Sequence, residues 1–360
     1  MKTWLFNTMM TVVCCLVITS CATDEIPIEH NESMVPVQLT LSFSGTPTTR
    51  DVNSSDEVLD YTTEQQNRID NAYILITDSE SKLVEVIENL TITKETSSEY
   101  TLYGKMEEYQ TASSIIVLVN IKNQGINTNS QEVGAWLKGF VGSSIQDLYN
   151  ASIYTNADTK GWDIATRAIP MWGTTTIPAT VNNGTVTASC NLYRALAKVN
   201  VWVNEKKGFE GFQLDKIVVS NQLDRGYCVS GKTPNSQIDM QYTEAYIPTN
   251  AQARGDVEYN CQSATTAFSD LIYLPEQLNN ETQSVTLTVH YTYNGISKSK
   301  AISFSDHKWD IIRNHSYVFN ISSVTPTTIE CKLYYVVENW VQIIPEVRIF
   351  SVVIGSEICG

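Results

Sequence analysis

Positive charge is in short supply. Against 39 Asp and Glu the chain carries 24 Lys and Arg, a net charge of −15, which excludes nucleic acid as a partner and an anionic membrane surface as a target. Histidine is scarcer. His30, His290, His307 and His315 are the four in the chain, scattered and without the H-E-x-x-H spacing of a zinc protease. No G-x-S-x-G elbow and no G-x-G-x-x-G turn occurs, so serine-hydrolase and dinucleotide chemistry find no support. None of the eight cysteines forms C-x-x-C or a zinc spacing. Asp51, Asn53 and Ser55 begin like a calcium loop, but Asp56 stands where Gly belongs and Thr62 where a bidentate Glu belongs. No metal, no cofactor and no enzymatic activity is expected. Long apolar runs are missing too: residues 9–18 fall short of the roughly 20 that span a bilayer.

What is present begins at that run. Lys2 precedes it, and Ile18-Thr19-Ser20-Cys21 closes it, the proportions of a secretory signal. The four residues are similar to the lipobox of bacterial lipoproteins. That resemblance implies cleavage between Ser20 and Cys21, a diacylglycerol on the Cys21 thiol, and a membrane partner through the lipid. Two or more acyl chains anchor stably where one is marginal. Asp24 and Glu25 resemble the acidic export tag of surface lipoproteins in Bacteroidota.

The rest of the chain reads as β. Tyr, Thr, Val and Ile are abundant, with 18 Tyr and 7 Trp, a mix that favours strands. Val35, Val37, Leu39, Leu41 and Phe43 alternate strictly with polar neighbours, which predicts a strand with one buried face. A polar loop holding Arg50-Asp51 follows. Arg50 is either a solvated charge or a cut site for a trypsin-like protease. Further strands are expected at 72–77, 83–87, 115–119, 198–203, 214–220, 316–321 and 332–337, with short helices between 131 and 150. Asn183-Gly184 and Asn294-Gly295 predict two-residue hairpins, joining 176–181 to 185–188 and 285–292 to 296–304. No internal repeat is visible. Short strands at this spacing predict an all-β sandwich fold. Cys190, Cys228, Cys261, Cys331 and Cys359 remain in the body of the chain and are expected mostly as buried thiols. Trp136, Trp162 and Trp172 are either core residues or platforms for sugar rings.

Three stretches resemble the fimbrillin family, the two-domain type V pilins of Bacteroidales: Arg167-Ala168-Ile169-Pro170-Met171-Trp172-Gly173, Leu192-Tyr193-Arg194-Ala195-Leu196-Ala197-Lys198-Val199, and Arg313-Asn314-His315-Ser316-Tyr317. Tyr273-Leu274-Pro275-Glu276 is a weaker fourth. The resemblance implies two transthyretin-like β-sandwich domains with a few short helices, at 35–194 and 195–340. They follow a signal at 1–20 and a tether at 21–34, and precede a tail at 341–360. It also implies a lipoprotein carried to the outer membrane and built into a cell-surface fimbria. Residues 35–50 would be a removable first strand, cut between Arg50 and Asp51 by an arginine-specific or trypsin-like protease. Neighbouring pilin subunits would be the partners, and the tail a donor strand; on sequence grounds it is equally an ordinary closing strand. The sequence names no surface receptor. The alternative reading is a surface glycan-binding outer-membrane lipoprotein that does not polymerise.

Overall fold

The computed structural model describes residues 34–43, 66–96, 98–107, 112–156, 160–178, 184–203, 210–231, 244–261, 267–280, 283–304, 310–324 and 329–336. The first half of the chain supplies β1 (Val35–Phe43), β2 (Ala72–Asp78), β3 (Leu83–Ile87), β4 (Thr91–Lys94), β5 (Glu99–Met106), β6 (Ala112–Val119), α1 (Val133–Lys138), α2 (Ile145–Ala151), β7 (Ile153–Thr155), β8 (Met171–Thr176) and β9 (Val186–Arg194). The second half supplies β10 (Ala197–Val203), β11 (Phe212–Ser220), β12 (Arg225–Tyr227), β13 (Val257–Asn260), β14 (Ala267–Leu274), β15 (Thr286–Tyr293), β16 (Ile296–Ser303), β17 (Ser316–Val324) and β18 (Ile329–Val336).

The fold is all-β. Strands β3-β2-β6-β8 and β9-β1-β5-β4 form two halves of one sheet, joined where β8 and β9 share the pairs Met171–Arg194 and Trp172–Tyr193. Their inner faces meet in a single core containing Leu39, Leu75, Leu102, Val117 and Leu192. Both helices pack on this core through Trp136, Leu137, Leu148 and Tyr149. Ser144 starts α2 by accepting a hydrogen bond from the Gln146 N–H, as a helix cap should. The second sandwich pairs β14-β10-β17-β18 with β13-β11-β15-β16 around Val199, Ile217, Val289 and Phe319.

The sequence shows no repeat, yet the topology does. In the first sandwich β1 lies between β5, antiparallel, and β9, parallel. In the second, β10 lies between β14, antiparallel, and β17, parallel. The facing sheets match as well: β2 is antiparallel to β3 and β6, and β11 to β13 and β15. The two first strands differ in how they are attached. Only Ala195 and Leu196 separate β10 from β9, so β10 cannot leave without breaking the chain's middle. β1 has no described element before it.

The hairpin expectations divide. Asn294 and Gly295 have φ of 50° and 77°, and Tyr293 pairs with Ile296 across them, a tight turn of the kind Asn-Gly favours. Gly184 also has a positive φ of 75°, and Asn183 lies outside the described residues. The strands flanking it pair only at their far ends, Met171 with Arg194 and Trp172 with Tyr193, and not next to the turn. β8 ends at Thr176 on β6, and Val186–Leu192 pair with β1 instead. Tertiary pairing with the first strand takes the hydrogen bonds that a hairpin would have used.

Candidate functional site

The slot that holds β1 is built by residues far apart in sequence. Its ladder to β5 runs from Val35–Met106 to Ser42–Glu99, and its ladder to β9 from Val37–Val186 to Phe43–Leu192. Pro36, which has no N–H to give, precedes the first β9 pair, where its loss does least harm. Val37, Leu39, Leu41 and Phe43 point inward at 1%, 0%, 0% and 2% exposure. Across the slot Val37 faces Gly104 and Val186, Leu39 faces Leu102 and Ala188, and Leu41 faces Tyr100 and Cys190. Gly104 is close-packed rather than roomy, since a β-carbon there would sit 2.6 Å from Leu90. At the other end the Phe43 ring meets Tyr100 edge-on at 5.7 Å, and the Arg194 guanidinium lies 5.5 Å over it. Four large apolar side chains at about 1.5–3 kcal/mol each amount to about 6–12 kcal/mol, as much as the whole stability of many domains. The slot cannot stand empty at no cost.

The four motif stretches meet where the two sandwiches join. Arg194 donates to the Gln66 carbonyl (3.3 Å), the Asn314 side chain (3.3 Å) and the Asn67 side chain. Lys198 reaches Gln66 at 3.2 Å, while its N–H bonds the His315 carbonyl at 2.8 Å. Arg167 bonds Gln124 and the Thr155 carbonyl and lies 3.8 Å over the Trp162 ring. Arg313 is fully buried and grips Glu276 with Nε and Nη2 at 2.8 and 2.6 Å, its remaining donors taking the carbonyls of Tyr227 and Cys228. Burial pushes the Glu276 carboxyl upward and the guanidinium opposes that shift. β7 and β12 pair across the same joint, Ile153 with Tyr227 and Thr155 with Arg225. The motifs therefore carry architecture. Asn67, Gln66 and Tyr154, whose hydroxyl bonds the Ala195 carbonyl at 3.3 Å, complete the joint without any sequence signal.

His315 is buried there and donates its Nδ1–H to the Arg313 carbonyl at 2.7 Å. Burial holds its pKa down at about 4, against 6.5 in water. The folded chain thus takes up this proton later than the unfolded chain. Stability is present in full above the unfolded pKa of 6.5 and is lost as pH falls from there to about 4. The slope is about 1.4 kcal/mol per pH unit, about 3 kcal/mol in all. His315→Gln is expected to flatten that slope in urea unfolding compared between about pH 4.5 and about pH 7.5. An unchanged slope would place the acid sensitivity elsewhere.

Other candidate sites fall away. Trp136, Trp162 and Trp172 are 6%, 2% and 3% exposed, so none is a platform for a sugar. Cys190, Cys228 and Cys261 are free thiols. No cluster of metal-binding side chains occurs among the described residues, and no described helix is long and apolar enough to cross a membrane. No phosphate-binding loop was expected from the sequence, yet Gly226-Tyr227-Cys228-Val229-Ser230-Gly231-Lys232-Thr233 spells its letters, G-x-x-x-x-G-K-T. Such a loop turns its N–H groups toward an anion at the start of a helix. Here Gly226 sits in β12, residues 227–230 are buried, and the Cys228 N–H is spent on the Ser152 carbonyl at 2.7 Å. Lys232 and Thr233 lie outside the described residues, as do Ser20, Cys21, Arg50 and Asp51.

Two β-sandwiches with one topology, the first closed by a leading strand between its last strand and an inner one, define the class: the fold is fimbrillin-like. The sequence matches no protein-family model and no curated protein. The structure is similar to the tip fimbrial protein Mfa3 from Porphyromonas gingivalis, solved with a C-terminal truncation, at a TM-score of 0.54 and 15% identity, covering 83% of this chain and 98% of that one. It is likewise similar to a fimbrial assembly protein from Parabacteroides distasonis ATCC 8503, at a TM-score of 0.52 and 16% identity, covering 85% and 97%. At such identities the likeness is one of fold.

Proposed function

We propose that this chain is a structural and adhesive subunit of a cell-surface fimbria, built by exchange of its first strand. The observation that carries this reading is the placement of β1. It is an interior strand, paired on both sides, and it is also the first of the described strands. In this reading the precursor is cut between Ser20 and Cys21, lipidated at Cys21 and held at the outer membrane. A trypsin-like or arginine-specific protease then cuts between Arg50 and Asp51, and β1 departs. A neighbouring subunit's tail, residues 341–360, fills the slot by strand addition. Such head-to-tail donation does not close on itself and so builds a filament; of the stalk, anchor and tip roles, the apolar tail favours the stalk. The two sandwiches act as domains meeting between residues 194 and 195. Burial of Trp136, Trp162 and Trp172 takes three candidate platforms from the glycan-binding alternative.

Limited trypsin digestion of the full chain is the test. The expected product begins at Asp51 and keeps both sandwiches. Cutting first within 66–336, with Arg50 intact, would contradict the reading. A smaller effect separates the two states. Phe43→Leu is expected to cost the uncut chain about 1–2 kcal/mol through poorer filling and the lost ring beneath Arg194. It should leave the stability of the cut, assembled form unchanged, because residue 43 is gone. An equal loss in both forms, measured by urea unfolding, would mean that β1 is retained.

A further inference from the structure

We infer that the donor tail enters the slot with its polarity reversed relative to β1, so that Phe350, Val352 and Ile354 take the places of Phe43, Leu41 and Leu39. This rests on the strand-exchange reading above and adds the orientation and register of the occupant.

The main chain does not choose the polarity. β1 is antiparallel to β5 and parallel to β9, so these two walls run antiparallel to each other. A strand inserted either way makes one parallel and one antiparallel ladder, with hydrogen bonds for both. Side chains must decide. The inward places of Leu39 and Leu41 are completely buried, and a polar or charged group there would lose its water without a partner.

The tail offers one sustained alternation, Phe350, Val352, Ile354, flanked on the same face by Arg348 before it and Ser356 after it. The slot has a marked end. At the Phe43 place Tyr100 and Arg194 face the ring, and Arg194 stays when β1 leaves, because Asn67, Asn314 and the Gln66 carbonyl hold it. At the opposite end Gly104 is already packed against Leu90 and Ile87. Reversed insertion puts Phe350 under Arg194, Val352 beside Cys190 and Ile354 beside Ala188. Ser356 then falls at the buried Val37 place opposite Gly104, where a small hydroxyl costs less than the Arg348 a forward register puts there, and Ile358 at that of Val35, while Arg348 falls beyond the Phe43 end, outside the slot. The nine residues 350–358 replace the nine of β1.

Forward insertion is worse in each register. With the three apolar residues on Val37, Leu39 and Leu41, Phe350 crowds the Gly104 end and Ser356 lies beneath Arg194. Moved on by two, Arg348 is buried at the Val37 place. On the other face, Val347, Ile349, Ser351 and Val353 would set Ser351 in the fully buried place of Leu41.

The outward face supplies a test of polarity. Gln38, which points outward, pairs with Thr187 on β9, and Thr187 is exposed. Reversed insertion brings Gly355 opposite Thr187, and the three forward registers bring Ser351, Ile349 or Arg348, all within a short crosslinker's reach of residue 349. Full chains carrying Thr187→Cys with either Gly355→Cys or Ile349→Cys are cut with trypsin, allowed to assemble, and treated with a short bismaleimide. Crosslinked peptides are then identified by mass. A crosslink between subunits from 187 to 355, at least about tenfold more abundant than 187 to 349, is the expected result. Preference for 349 would overturn the reversed polarity and leave strand exchange standing. Assembled ladders with neither crosslink would overturn the placement of the tail in this slot. No ladders at all would overturn strand exchange and this inference together.

Discussion

Once β1 has been cut away and before a donor replaces it, Cys190 is expected to react with a maleimide about a thousandfold faster than in the uncut chain. Cys190 faces Leu41 across the first-strand ladder, is 2% exposed, and contributes its sulfur to the packing around Gly173. Burial pushes its thiol up to about 12, against 9.0 when hydrated. The thiolate is the reacting species, so returning the pKa to its hydrated value alone raises the reactive fraction by about three powers of ten. Direct access for the reagent adds to this. Cys228 serves as the internal control. It is fully covered at the joint and pushed up to about 12 by burial, and its backbone bonds Ser152 and Arg313 and not β1. Labelling followed by peptide mass analysis should show Cys190 fast and Cys228 slow in the cut chain, and Cys190 slow again in the assembled fibre. Equal rates for Cys190 before and after the cut would mean that the slot never opens.

Replacing Arg313 by methionine is expected to cost about 3–5 kcal/mol, the usual penalty for removing one partner of a buried ion pair. Arg313 is completely buried and Glu276 is 2% exposed, so the carboxylate left behind has no water to turn to. The joint suffers further because the carbonyls of Tyr227 and Cys228 lose their donors. Exchanging both partners, Arg313→Met with Glu276→Leu, is expected to recover part of the loss, since a well-packed apolar pair often replaces a buried ion pair at little cost. Urea unfolding of the wild type, the single and the double variant measures this. A double variant no more stable than the single one would show that the guanidinium's carbonyl bonds, and not its pairing with Glu276, hold the joint.

The parts of the fold legible in the sequence are those with a local signal. Val35–Phe43 declares itself by strict alternation, and the structure keeps the alternation as burial. Leu83–Ile87 falls at the expected residues, and the loosened stretch after Gln131 holds α1 and α2. Glu99–Met106 and Ala267–Leu274 do not announce themselves, because their apolar residues are interrupted by Gly104 and Lys105 or by Asp270. The parallel pairing of β1 with β9 joins residues about 150 positions apart, and no local pattern encodes it. The site divides likewise. The side chains that fill the slot were readable, and so were Arg194 and Arg313 as motif residues. Glu276 stands in the weaker fourth stretch, whereas Asn67 gains meaning only when folding brings it to Arg194. Arg50 and Cys21 rest on sequence in this account, since both lie outside the described residues.

Strand exchange requires that the first strand be removed and its place taken by a neighbour. N-terminal sequencing and intact mass of protein sheared from the surface of cells that make it address this directly. A chain that begins at Asp51 and runs as a heat-sensitive ladder on gels is the predicted result. A chain that still begins at an acylated Cys21 and runs as a single band would contradict the account.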